Sequence, residues 1–93
     1  MVIAVYMIRL IIPESQSLKD KRRAIMQLRD KITKKFNVAF AELEHHELWN
    51  KATLGIASLA NEQQIVNQAL DNAMNLIYEM PHIEVIECQK EFL

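Results

Sequence analysis

Apolar and polar positions along this chain follow two periods in turn, and the switches between them mark six elements. Met1 to Ile12 is apolar nearly throughout and rich in β-branched residues, the pattern of a short strand covered on both faces. Pro13, with no N–H to donate, closes it. Ser17 has the chemistry of an N-cap, with Asp20 three places on in an acidic version of the capping box. A helix is therefore expected from about Leu18 to about Lys35. At about 100° per residue, Leu18, Ile25, Leu28, Ile32 and Phe36 gather in one sector, while Lys19, Arg23, Asp30 and Lys34 point the other way. Lys21, Arg22 and Arg29 fall inside or beside the apolar sector, which is the anomaly of this helix.

Asn37 to Glu44 alternates as a strand, and the polar stretch around Leu48 and Trp49 reads as a connection in which Trp49 anchors by packing. Ala52 to Ala60 is a second, uncharged strand. Asn61 is placed to cap a helix reaching about Met80, carried on Ile65, Val66, Ala69, Leu70, Ala73, Leu76 and Ile77 and ended by Pro81. Ile83 to about Gln89 alternates again.

This β-α-β-β-α-β order predicts one α+β domain over residues 1–93: a ferredoxin-like sandwich of a four-stranded antiparallel sheet with two helices on one face. Right-handed crossovers put the first and third strands at the centre. The acidic residues agree, because Glu42, Glu44, Glu84 and Glu87 sit on the two strands left for the edges, where charge discourages open-ended pairing. Tyr6, Ile8, Leu10, Leu54 and Ile56 suit the helix side. Ile3, Val5, Met7, Gly55, Ala57 and Leu59 are left on a flat apolar outer face, an expected interface for a homodimer unless a long loop or the C-terminal Glu91-Phe92-Leu93 covers it.

Composition narrows the class. Apolar residues make up 51% and charged ones 25%, which excludes a disordered chain, and no apolar run approaches the length of a membrane span. The N-terminal stretch lacks the features of a signal peptide. A single cysteine, Cys88, leaves no internal disulfide and fits a cytoplasmic protein. One glycine excludes a glycine-rich phosphate loop.

The net charge of −1 hides a strong asymmetry. Residues 1–35 hold nine lysines and arginines against three acidic residues, whereas residues 36–93 hold two against nine. Such a split points to an electrostatic partner surface, or to a basic helix neutralised by acidic neighbours such as Glu14, Glu42 and Glu44. Lys19, Lys21, Arg22, Arg23 and Arg29 are the candidate contacts to nucleic-acid phosphates or another anion. A sheet that reads bases through stacked aromatics is disfavoured, because the third strand carries none. His45 and His46, with Glu42, Glu44 and Glu47, are the one grouping with metal-ligand chemistry, but adjacent strand residues face opposite ways and no ligand spacing supports them. Neither a metal, another cofactor nor a catalytic constellation is expected.

The run Ser17-Leu18-Lys19-Asp20-Lys21-Arg22-Arg23 after a proline-ended strand, then Phe36-Asn37-Val38, Ala41-Glu42, Glu47-Leu48-Trp49 and Ala52-x-Leu54-Gly55, resembles the YlxP-like family of small bacterial proteins. That resemblance implies a ferredoxin-like α+β domain and, through gene neighbourhood, a translation-linked role. It supplies no site residues. The leading expectation is an accessory factor touching structured RNA or a ribosomal subunit through its first helix. The alternative is a homodimeric protein-interaction or small-anion module.

Overall fold

The computed structural model describes residues 1–44 and 48–93. Its elements are β1 (Val2–Ile11), α1 (Leu18–Lys35), β2 (Ala39–Glu44), β3 (Lys51–Ala60), α2 (Gln63–Glu79) and β4 (Glu84–Phe92), so the expected order stands. The strands form one antiparallel sheet in the order β2-β3-β1-β4, with β1 and β3 central. Both helices pack on one side of it. Ile8 and Leu10 of β1 and Leu54 and Ile56 of β3 meet Ile25, Leu28 and Ile32 of α1 and Val66, Leu70 and Ile77 of α2 in a single core.

Ser17 caps α1 as expected, its side chain accepting from the Asp20 N–H at 3.0 Å, while Asp20 Oδ2 accepts from the Gln16 N–H at 3.1 Å. The second cap differs from expectation. Glu62, rather than Asn61, holds the N-cap position of α2 and makes no side-chain cap bond. Ile65 is exposed while Met74 is buried, because α2 is rotated by its packing against β1 and β3. The last strand outruns its expected end at Gln89, since β1 is ten residues long and its outward N–H and C=O groups need partners. Phe92 pairs with Ala4, and the Leu93 N–H donates to the Ile3 carbonyl at 2.9 Å. The C-terminus therefore extends the sheet edge instead of folding across its face.

Two irregularities shape that face. The β1–β4 register shifts between Arg9 and Leu10, and the β2–β3 register shifts between Glu42 and Glu44, leaving Leu43 as an extra residue. Leu43 lies over Gly55: a Cβ on that glycine would meet Leu43 Cδ1 at 3.1 Å. The glycine is there for close approach, not for an unusual backbone angle.

Candidate functional site

The sheet separates two surfaces of opposite character. On the helix side, the apolar stripe of α1 is not the one its sequence suggests. Leu18 is exposed, and Lys21 takes its place among the buried residues with Ile25, Leu28 and Ile32. The Lys21 ammonium sits 3.2 Å from Glu42 Oε2 and donates to the Lys51 carbonyl at 3.2 Å, with only 3% of its side chain exposed. Lys21 is therefore not placed to meet a phosphate. Glu42 points inward from β2 because its even position is on the core face, and the N-terminal turn of α1 crosses above it.

The remaining candidates stay outside. Lys19, Arg22 and Arg23 are exposed around one shallow hollow with Met26, Gln27 and Asp30. Among the described residues none of these three has an acidic partner. Arg29 is exposed but pairs with Asp30 at 3.3 Å. Lys34 continues the outward row near the far end of a helix about 27 Å long. Glu14, expected as a neutraliser, instead approaches His82 at 3.5 Å. His45, His46 and Glu47 lie outside the described residues.

Trp49 does not anchor by packing. Its side chain is 56% exposed, and it is the backbone that is held: its carbonyl accepts from the Ser15 hydroxyl. The neighbouring Asn50 carbonyl accepts from the Ile12 N–H at 2.8 Å.

A polar cluster that sequence reasoning missed joins α2 to the sheet. The Tyr6 hydroxyl donates to Asp71 Oδ1 at 2.7 Å. Lys90 donates to the same oxygen at 3.0 Å and to Asn67 Oδ1 at 2.8 Å, with its ammonium 5.0 Å from the Tyr6 ring centre. The three residues are 65 and 19 positions apart, so no local motif announces them. Burial, then the Asp71 hydrogen bond and charge, push the Tyr6 phenol far above its ordinary value. The Tyr6 bond, aided by Lys90, holds the Asp71 carboxyl below its ordinary value. Burial pushes the Cys88 thiol up.

Both shifts set a pH dependence. The stabilisation from Asp71 is full above the ordinary carboxylate value of about 4 and is lost as pH falls through its lowered value. That from Tyr6 is full below about pH 10 and is lost as pH rises through its raised value. Tyr6→Phe is accordingly expected to lose stability less steeply than the wild type in urea melts taken above about pH 10. Identical alkaline slopes for the two proteins would remove this role.

The other side of the sheet is apolar. Ile3, Val5 and Met7 of β1 lie beside Gly55, Ala57 and Leu59 of β3, and Ala39 and Ala41 of β2 continue the surface. Met7, Leu43 and Leu59 are each about half exposed. A hollow of about 250 Å³ opens between Met7 and Leu43, floored by Ala41, Gly55 and Ala57. The face ends in polar groups along β4 and in the Arg9–Glu87 pair at 3.2 Å. No helix among the described residues is long and apolar enough to cross a membrane.

With this geometry in place, comparison with known proteins gives the family. The family model described as "Protein of unknown function (DUF503)" matches residues 3–90. The chain belongs to this family. It is also 28% identical over 74 residues, 80% of each chain, to the uncharacterized protein YlxP of Bacillus subtilis (strain 168). The DUF503 match runs from β1 into β4 and so includes the α1 cations, Trp49 and the outer face alike. The resemblance drawn from the basic helix start and the Leu-Trp connection therefore holds, and it brings with it a fold and a family but no assigned chemistry.

Proposed function

We propose that this DUF503 protein is a small non-catalytic binding factor that touches the phosphate backbone of structured RNA through the exposed face of α1. The observation that carries the reading is the outward row of Lys19, Arg22 and Arg23, which lack acidic partners among the described residues although the chain as a whole is slightly acidic. A small-anion site needs cations converging on one concavity. Lys19, Arg22 and Arg23 border one shallow hollow that is open to solvent, and Lys34 stands further down the same helix surface, which suits successive phosphates better than one enclosed anion. Acidic residues on β4 and α2 repel a polyanion and so restrict contact to the α1 side. The opposite, apolar face offers RNA nothing to bind, because Tyr6 and Phe40 take even positions toward the helices. The same reading assigns that face to self-association.

The test is binding to ribosomal RNA and to small ribosomal subunits across a salt series, comparing the wild type with Lys19→Ala/Arg22→Ala/Arg23→Ala. Affinity should fall with salt, and the triple variant should lose about two units of log–log slope, at about 0.7 per single-strand phosphate contact. Lys21 is left unchanged because its ammonium is buried against Glu42 and the Lys51 carbonyl and does not face a phosphate. No detectable wild-type binding, or an unchanged slope, would overturn the reading.

A further inference from the structure

We infer that the outer sheet face is completed by a second copy of this chain, packed face to face about a two-fold axis near Ala57. The inference deepens the self-association named above and is independent of what α1 binds.

Three features commit the face to its own copy. The first is its size. Four strands about 4.8 Å apart and some eight residues at about 3.3 Å each give a face of roughly 19 by 27 Å. Two such faces cover on the order of 1,000 Å² in flat projection and more with side-chain relief, which reaches the area a specific interface needs. The second is chemistry. From Ile3 to Met7 and from Gly55 to Leu59 no outward side chain is charged, while the β4 strip beside β1 carries Glu87, paired with Arg9, and then Gln89 and Glu91. The centre of a pair is therefore uncharged, and the β4 groups form its polar rim. An unlike partner is ordinarily specified by charge or hydrogen bonds across the interface, and this surface offers few of either, whereas an apolar face matches itself.

The third feature is relief. The face carries a hollow of about 250 Å³ and, beside it, the projecting side chain of Leu59, 55% exposed. The hollow exists because Ala41, Gly55 and Ala57 are small, and Leu43 walls it because it takes an odd, outward position of β2, as Ala39 and Ala41 do, and lies over Gly55. In a two-fold pair each contact occurs twice, so a projecting aliphatic side chain of one copy enters the hollow of the other and receives the same in return. Sheets packed this way stand about 10 Å apart. Both α1 helices then remain on the outside of the pair.

Sedimentation equilibrium over a wide concentration range tests this on the full chain. The wild type should weigh twice its 10.9 kDa. Ala57→Asp and Met7→Lys, which place a charge at the centre and the wall of the hollow, should each weigh 10.9 kDa, and Gln64→Lys on the exposed surface of α2 should remain paired. Met7 is 46% exposed in the single chain, so Met7→Lys keeps the fold and decides the matter if circular dichroism shows Ala57→Asp unfolded. A wild type that stays single at every concentration overturns the inference and leaves the face to a different protein. A paired wild type unaffected by Met7→Lys overturns it too, by moving the interface elsewhere. Loss of pairing with the salt slope of RNA binding intact, or the reverse, separates this inference from the α1 reading.

Discussion

Glu42→Ala is expected to lower the unfolding free energy by about 3 kcal/mol, because it removes the carboxylate that faces the buried Lys21 ammonium beneath α1. Lys21 is 3% exposed, so water has little access to replace the lost carboxylate beside its ammonium. Glu42 retains 22% exposure, which sets the expected cost at the lower end of the range for broken buried pairs. For a domain of this size that is a fall of roughly 12–24 °C in Tm. The reciprocal change is gentler. Lys21→Met fills the same space with an apolar chain and leaves a carboxylate that still reaches water, so it should cost less than Glu42→Ala. The pair Lys21→Met/Glu42→Leu should recover most of the loss. Urea melts of the three variants decide this. A Glu42→Ala cost under about 1 kcal/mol, the level of an exposed pair, would mean that the ammonium finds water.

Leu28→Ala should also cost about 3 kcal/mol, by a different route. Leu28 is fully buried on α1 in the core shared by the sheet and both helices, and its truncation leaves a cavity that a packed interior closes only in part. Because the outward cations of α1 are untouched, the salt slope of RNA binding should match the wild type at a temperature where the variant is folded. A Leu28→Ala protein with native stability would place α1 more loosely on the sheet than its burial indicates. A changed slope would make the cation row depend on core packing.

The pattern of the chain already carried the elements and the two faces of the sheet. Residue parity in β1 and β3 put Ile8, Leu10, Leu54 and Ile56 inward and Val5, Met7, Gly55 and Ala57 outward, and the structure agrees. This works because alternate strand residues must face opposite ways whatever lies above them. The bounds of α1 were legible for a similar reason: Pro13, Ser17 and Asp20 act within a few residues of the helix start. The weaker signals misled. Asn61 has the chemistry of a cap, but the chain reaches α2 one residue later, at Glu62.

The candidate site was half legible. Helical spacing placed Lys19 and Arg23 outward, but put Lys21, Arg22 and Arg29 at the margin of the apolar sector, where angle alone does not decide. Tertiary contact decided it. Glu42 and the Lys51 carbonyl stand beneath Lys21, whereas Arg22 and Arg29 find water. Trp49 went the other way, because its backbone rather than its ring meets the segment before α1.

By itself, then, the sequence determined the β-α-β-β-α-β order, the α+β sandwich, the inward and outward sets of each central strand, and the concentration of positive charge on α1. These follow from periodicity and from neighbours within a turn or a strand. Only the tertiary structure decided which cations remain on the surface, which polar groups lock α2 to β1 and β4, and that the C-terminus lengthens the sheet instead of covering it. Each of those depends on a partner tens of residues away. Whether a charge is buried, paired or free is a property of what the fold brings beside it.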